Sequence, residues 1–275
     1  MLTLKWSLCS TGNRDKPVEY VLERVRDLGL DGIELWTGHI DEYAERNGSI
    51  DGLIEGIQGA GIRVPAISPY VSFSKSDETT EACLAIVEKA AQYAVRFGSP
   101  LVRIFFGHLP SRETPDELWA EAMERLKKAL AIADRYGVNL GLELHNNTFA
   151  DQIEPIRRIF READHPRLRM IFDGFNLYLD RVDQLEALEA LYAYTDHVHM
   201  KSYFWNLDSP ETRKPTSVFD GDVDNVSICQ SLYSNGYEGF ISFEYFGQDG
   251  EQCVKASVAE LRNAGWMPNA STGMQ

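Results

Sequence analysis

A single (β/α)8 barrel, the TIM-barrel form of the α/β class, is predicted by three features of this chain. Strand-like and helix-like periods alternate eight times; glycines mark where most of the helices should stop; and four consecutive strand runs each end on a carboxylate or an imidazole. The 275 residues, 44% hydrophobic, suffice to bury the core of one such barrel. A doubly wound sheet would ordinarily carry a glycine-rich phosphate turn after its first strand, and none follows Leu8. The barrel is expected over residues 1–266, with a polar, aperiodic tail at 267–275.

Taken in order, the first strand, Thr3 to Leu8, leads to a helix near Pro17 to Leu28, opened by Pro17 and closed at Gly29. The second, Asp31 to Trp36, leads to a helix over Ile50 to Ala60, closed at Gly61. Arg63 to Ser68 is followed by a helix over Glu78 to Phe97 with its stop at Gly98. Leu101 to Phe106 precedes a helix from Pro115 to Tyr136, stopped at Gly137. Val138 to Leu144 and Arg169 to Phe172 are followed by helices over Asp151 to Ala163 and Arg181 to Tyr194. His197 to Lys201 leads to a helix over Val226 to Asn235, stopped at Gly236, and Phe240 to Tyr245 to one over Glu251 to Ala264, stopped at Gly265. The segment from Ser202 to Asp222 is too long for an ordinary βα loop and suits a lid, a contact with a second copy of the chain, or a contact with a small partner subunit.

Composition narrows the function. A net charge of −15 repels phosphate backbones, and no cluster of Lys and Arg offsets it, so nucleic acid is excluded as a partner. Cys9, Cys83, Cys229 and Cys253 are scattered without metal or disulfide spacing and read as reduced thiols. The opening residues lack the pattern of a signal peptide, and no run of about eighteen apolar residues occurs, so no membrane association and a cytoplasmic location are expected.

Strand side chains alternate, so residues two apart share a face, and the inward face at the C-terminal end of a barrel lines its site. Glu143, Asp173, His199 and Glu244 close the runs VNLGLE, LRMIFD, DHVH and GFISFE. Three carboxylates and one imidazole suit Mn2+, Co2+ or Mg2+ better than a structural zinc site, with Mn2+ the expected ion. The alternative is four unrelated polar strand ends. By the same alternation His145 lies on the face of Glu143, and His197 and Lys201 on that of His199. His145 is a general base, a substrate donor or a structural histidine. Lys201 either holds a substrate oxyanion or pairs with an acid at the strand end. His197, one step deeper, reads as an interior histidine. Glu34 either contacts a substrate hydroxyl or forms a buried ion pair, with Arg103 as a partner. Trp36, Tyr70, His108, Phe204 and Trp205 follow strands and would rim a pocket whose flat surfaces stack on a sugar ring; simple packing is the alternative for each.

These stretches resemble the sugar phosphate isomerase/epimerase group of xylose-isomerase-like barrels. The resemblance spans nearly the whole chain and rests on LGLDGIELW, GLELHNN around Glu143, MIFDGFN around Asp173, HVHMKSY around His199, FDGDVD near Asp222 and GYEGFISFEY up to Glu244. It implies that Glu143 and Glu244 bind the metal and exchange a proton with a carbon beside a carbonyl. Two departures stand out: Asn176 occupies the position where many members carry a histidine, which makes it a substrate-contact candidate, and Ser202 follows Lys201 where many carry Asp. The arginine that tagatose-type epimerases place after the metal histidine has no match among Phe204, Trp205 and Asn206.

The expected activity is a divalent-metal-dependent isomerase or epimerase acting on a keto sugar or related polyol. The rival is a lyase of the inosose dehydratase or C-glycoside-cleaving kind, with His145 as base. A non-catalytic sugar-binding barrel is the third reading. Six histidines and the negative charge argue against an abasic-site endonuclease, a relative by fold that needs a trinuclear zinc site.

Overall fold

The computed structural model describes residues 4–75, 79–209 and 212–268. Eight parallel strands close into a barrel: β1 (Lys5–Cys9), β2 (Gly32–Trp36), β3 (Ala66–Ser68), β4 (Leu101–Ile104), β5 (Asn139–Glu143), β6 (Leu168–Asp173), β7 (Thr195–Met200) and β10 (Phe240–Phe243). Their order around the ring is β1, β10, β7, β6, β5, β4, β3, β2. The remaining two, β8 (Ser202–Phe204) and β9 (Lys214–Thr216), form an antiparallel hairpin outside the barrel. The (β/α)8 fold is therefore the one the alternation predicts, and all eight strand runs fall where expected to within a few residues.

Eight helices fill the expected outer positions: α1 (Val18–Asp27), α3 (Asp51–Gly59), α4 (Thr80–Phe97), α5 (Asp116–Tyr136), α6 (Ile153–Ala163), α8 (Gln184–Leu191), α9 (Asn225–Ser234) and α10 (Gly247–Asn263). Gly98 and Gly137 end α4 and α5 in the left-handed region, at φ of 67° and 69°, where a side chain would be strained. Two helices were not expected. Helix α2 (Thr37–Asn47) buries only His39 and Ile40, too narrow a stripe to read as an amphipathic period. Helix α7 (Gly174–Leu179) follows β6 without a break and is started by the Asp173 side chain, which accepts from Asn176 N at 2.9 Å. The stretch 202–222, expected as a lid or a partner contact, carries the β8–β9 hairpin. Met267, assigned to the tail, is buried against the core; residues 269–275, like Thr3 and Glu78, lie outside the described residues.

The barrel interior is filled in layers. Ala66, Leu101 and Ile171 form a small apolar plug of their own. Gly141 exists to admit it: a Cβ there would stand 2.9 Å from both Ile171 Cγ1 and Leu101 Cδ2. Above the plug lies a polar layer in which Ser7 and Ser242 hydroxyls meet at 2.6 Å and His197 Nε2 reaches Ser242 Oγ at 3.0 Å. A bulge between β6 and β7 places Ile171 opposite His197 and Asp173 opposite His199, where Met170 still faces Thr195. That one-residue offset sets the Asp173 and His199 side chains at the same level of the barrel.

Candidate metal centre

The top layer gathers Glu143, Asp173, His199 and Glu244. All four are buried, and one ligand atom from each lies within 4.8 Å of the others. Glu143 and Asp173 end β5 and β6, His199 is the last residue but one of β7, and Glu244 directly follows β10; consecutive strand ends of a closed barrel converge on its axis.

Opposite charges are built into the same layer. Arg103, fully buried on β4, places Nη1 3.2 Å from Glu143 Oε2 and 3.6 Å from Glu244 Oε1. Lys201 Nζ donates to Asp173 Oδ2 at 2.6 Å and to Glu244 Oε2 at 2.5 Å. Burial pushes the Glu143 carboxyl up, but Arg103 and then His199 more than reverse this and hold it at about 2. Asp173 goes the other way: burial raises it, and Glu244 adds to that rise against the pull of Lys201. Burial would lower His199, yet Glu34, Glu244 and Glu143 drive it well above its ordinary value. An ion bound through this imidazole would displace a proton from it.

Glu34 is fully buried and lies behind the ligand set. Its Oε2 takes His199 Nε2 at 2.9 Å and His197 Nε2 at 3.0 Å, and Oε1 accepts from Ser68 Oγ. Of the two readings of Glu34, a substrate contact or a buried ion pair, the structure shows the carboxylate paired with two histidines rather than with Arg103, which is taken up by Glu143 and Glu244. With Nε2 of His199 committed to Glu34, Nδ1 is the nitrogen presented to the cluster, 3.4 Å from Glu143 Oε1. Asn176, expected at the substrate, is buried instead beside Asp173: its side-chain amide reaches Asp173 Oδ2 at 2.9 Å and Leu144 O at 3.0 Å.

Two buried atoms of the cluster, Glu143 Oε2 and His199 Nδ1, make no hydrogen bond: Oε2 has the ion pair with Arg103, and Nδ1 stands 3.4 Å from Glu143 Oε1. A cation held among the four side chains would satisfy Nδ1. The donor set, three carboxylates and one imidazole, fits a hard or borderline divalent cation.

The remaining expected residues stand around the mouth. His145 is partly buried; its Nδ1 meets the Asn146 carbonyl at 2.7 Å and its ring stands edge-on to Phe105 at 5.4 Å. Phe105 stacks on Tyr70 at 5.7 Å, and the Arg103 guanidinium lies 4.7 Å from the Tyr70 ring. Arg14, exposed at the rim, sits over Tyr70 at 4.6 Å and Trp36 at 5.2 Å and donates to the Tyr70 hydroxyl. His108 is set on the loop after β4, its Nδ1 2.6 Å from Ser74 Oγ. Across the mouth Trp205 packs on Phe175 and Tyr203, with its backbone N–H held by Asp222 and its carbonyl by the Tyr178 hydroxyl. Phe204 points to solvent, 52% exposed. Sequence reasoning missed the place of Arg103 in the cluster and overlooked Arg14. The signal for the first was an arginine inside the apolar run LVRIFF, on the inward face two residues beyond Leu101.

The chain is thus a closed parallel α/β barrel with three carboxylates and an imidazole gathered at the C-terminal ends of its strands, a group that could hold a divalent ion. The chain belongs to the family described as xylose isomerase-like TIM barrels, whose profile matches residues 22–264. It is 23% identical to a 3-dehydroshikimate dehydratase of Bacillus anthracis, over 94% of this chain and 97% of that protein. It is 24% identical to an L-ribulose-5-phosphate 3-epimerase of Salmonella heidelberg, over 92% and 90%. Among solved structures, a probable 3-DHS dehydratase from Bacillus anthracis superposes with a TM-score of 0.86 at 22% identity, covering 94% of this chain and 99% of that one. The family relatives are thus enzymes, and dehydratase, isomerase and epimerase are all represented among them. Among the described residues no helix is long and apolar enough to cross a membrane.

Proposed function

We propose that the protein is a metal-dependent dehydratase that removes one water from a carboxylated cyclic hydroxyketone of the 3-dehydroshikimate kind. The observation that carries this reading is the charge arrangement at the mouth. Glu34, Glu143, Asp173 and Glu244 are balanced by Arg103, Lys201 and a divalent ion, which leaves Arg14 at the rim, between two aromatic faces and with no carboxylate partner among the described residues. A guanidinium without a carboxylate partner suits an anionic group on the substrate, and a ring carboxylate is the one this reading assigns to it. Trp36, Tyr70 and Phe105 supply flat walls of the kind a six-membered ring occupies as it flattens. Support also comes from the B. anthracis dehydratase, which matches 94% of this chain. This reading takes the lyase class, the rival named from the sequence, with a substrate other than the inosose or C-glycoside expected there.

Glu143, Asp173, His199 and Glu244 would hold the ion, Mn2+ by donor type, which would act as a Lewis acid on the ketone oxygen. His145 is the base. With Nδ1–H donated to the Asn146 carbonyl, Nε2 carries the free lone pair that takes the proton from the carbon beside the ketone. The C–H electron pair forms a ring double bond and expels the hydroxyl on the next carbon. Lys201, already protonated against Asp173 and Glu244, gives the leaving oxygen its proton, and water departs. In a cyclohexenone the product then needs only a proton shift to become aromatic, which makes the step irreversible.

One observation favours epimerisation as the second reading: Glu143 and Glu244 both flank Arg103 and face one site, as two-sided proton transfer at a single carbon requires. Mass spectrometry decides between them. The Mn2+-loaded protein is incubated in D2O with 3-dehydroshikimate and, separately, with a panel of ketoses and inososes. Loss of one water from 3-dehydroshikimate, with the absorbance of a dihydroxybenzoate, supports the dehydratase; deuterium uptake into a ketose without loss of water overturns it in favour of the epimerase.

A further inference from the structure

The centre contains a second, softer ligand set. Cys9, the last residue of β1, is fully buried and carries a free thiol. It pairs with Glu34 in the β1–β2 register, and its Sγ lies within 4.8 Å of ligand atoms of His199 and Glu244, which also lie within that distance of each other. The second observation is His199 Nδ1, buried and without a hydrogen-bond partner, in a residue common to both sets. Three donors sharing one ion at bonds of about 2.0–2.3 Å stand about 3.3–4.0 Å apart. Closure of the Cys9 triad from separations of up to 4.8 Å therefore asks for shifts of up to about an ångström.

We propose that Cys9, His199 and Glu244 form an alternative site for thiophilic ions, overlapping the hard site of Glu143, Asp173, His199 and Glu244. Thiolate selects Zn2+, Co2+ and Cd2+, whereas carboxylates suit Mg2+ and Mn2+. Because His199 and Glu244 are shared, the two modes exclude each other. An ion bound through Cys9 is drawn to the β1 side of the barrel, away from Glu143 and Asp173. Binding in that mode exchanges the thiol proton for the ion: the S–H bond breaks, an S–metal bond forms, and one proton leaves to solvent. The centre would thus bind hard and soft ions in two different coordinations. This stands on the geometry of the proposed metal centre and does not depend on which reaction that centre performs.

Cobalt reads the two modes directly. Metal-free wild type and the Cys9→Ser and Cys9→Ala variants are titrated with Co2+ and followed by absorption, and Mn2+ affinity is measured in parallel by electron paramagnetic resonance. The expected result is a thiolate-to-cobalt charge-transfer band in wild type, its loss in both variants, and a Co2+ affinity weakened by an order of magnitude or more while Mn2+ binding is unchanged. Absence of the band in wild type, or its persistence in the variants, overturns the proposal. If the variants fail to fold, X-ray absorption of the Zn2+-loaded wild type decides: a sulfur scatterer at about 2.3 Å supports Cys9 ligation, and a shell of only nitrogen and oxygen overturns it. Loss of Mn2+ binding in wild type would instead sink the metal centre itself, an outcome separate from these.

Discussion

Arg103→Met tests the electrostatic design of the centre, because it removes a buried cation while keeping much of its volume. At 3.2 Å from Glu143 and an effective dielectric of about 20, the direct attraction is about 5 kcal/mol, from which the cost of burying the pair must be deducted. The titration of Glu143 offers a second route. Held at about 2 against an ordinary 4.5, its ionised form is favoured in the fold by about 3 kcal/mol. Breaking a buried pair by removing one partner typically costs about 3–5 kcal/mol, in line with both figures. At roughly 2–4 °C per kcal/mol for a chain of this size, the chelator-treated variant should melt about 10 °C below wild type at pH 7. The pH dependence has a definite sign. A carboxyl whose folded pKa lies below its unfolded value stabilises above the unfolded value and loses that contribution as pH falls through the folded one. The gap between the two proteins should therefore be full at pH 7 and shrink as pH drops from 4.5 toward 2. Saturating Mn2+ should also narrow it, since the ion then neutralises the charge that Arg103 leaves behind. Calorimetry of metal-free samples across pH is the assay. A melting difference that is negligible at pH 7, or one that does not change on acidification, would refute the reasoning.

Other perturbations separate positioning, chemistry and packing. Glu34→Gln weakens the acceptor that orients His199 and should lower Mn2+ affinity by about 10–100-fold, measured by titration calorimetry, with the fold retained. His145→Gln removes the proposed base and should reduce turnover by about 10²–10⁴-fold without altering the melting temperature or Mn2+ binding; unchanged turnover would reassign the base. Gly141→Ala drives a methyl into Ile171 and Leu101 and should cost about 1–3 kcal/mol in chemical denaturation, far from any metal effect.

The β/α alternation and the convergence of the four strand-end side chains were readable from residue order alone, because a parallel barrel repeats one local unit and brings every strand end to one ring. What stayed hidden depends on contacts distant in sequence. The pairing of Arg103 with Glu143 and Glu244, rather than with Glu34, follows from which inward side chains share a level in the closed barrel. The bulge that sets Asp173 level with His199 has no signature in LRMIFD or TDHVHM. Helix α7 escaped notice because its apolar start, GFNLYL, continues the hydrophobic run of β6, and its N-cap is a residue that reads first as a ligand. The β8–β9 hairpin escaped because KPT, with a proline at its centre, is a poor strand signal, tolerated only where that residue owes no ladder bond.

Asp173 brings these two kinds of information together, and substitutions there can separate them. Its carboxylate caps α7 through Asn176 N, accepts from Lys201, and is one of the four proposed metal ligands. Burial raises its pKa, and Glu244 and Glu143 add to that against Lys201, so in the metal-free protein the charge on Asp173 opposes folding at neutral pH. Asp173→Asn keeps an oxygen for the cap and discards that charge. Chelator-treated Asp173→Asn should therefore melt no lower than wild type, whereas Asp173→Ala, which also loses the cap, should fall below Asp173→Asn by about 1 kcal/mol. Mn2+ reverses the order. An ion at a hundred times its dissociation constant stabilises wild type by about 2.7 kcal/mol, or roughly 5–10 °C, and neither variant should show that gain. If Asp173→Asn is strongly destabilised without metal, the carboxylate is a structural ion-pair member; if it retains the full Mn2+ shift, Asp173 is no ligand, and the centre must be rebuilt on Glu143, His199 and Glu244 alone.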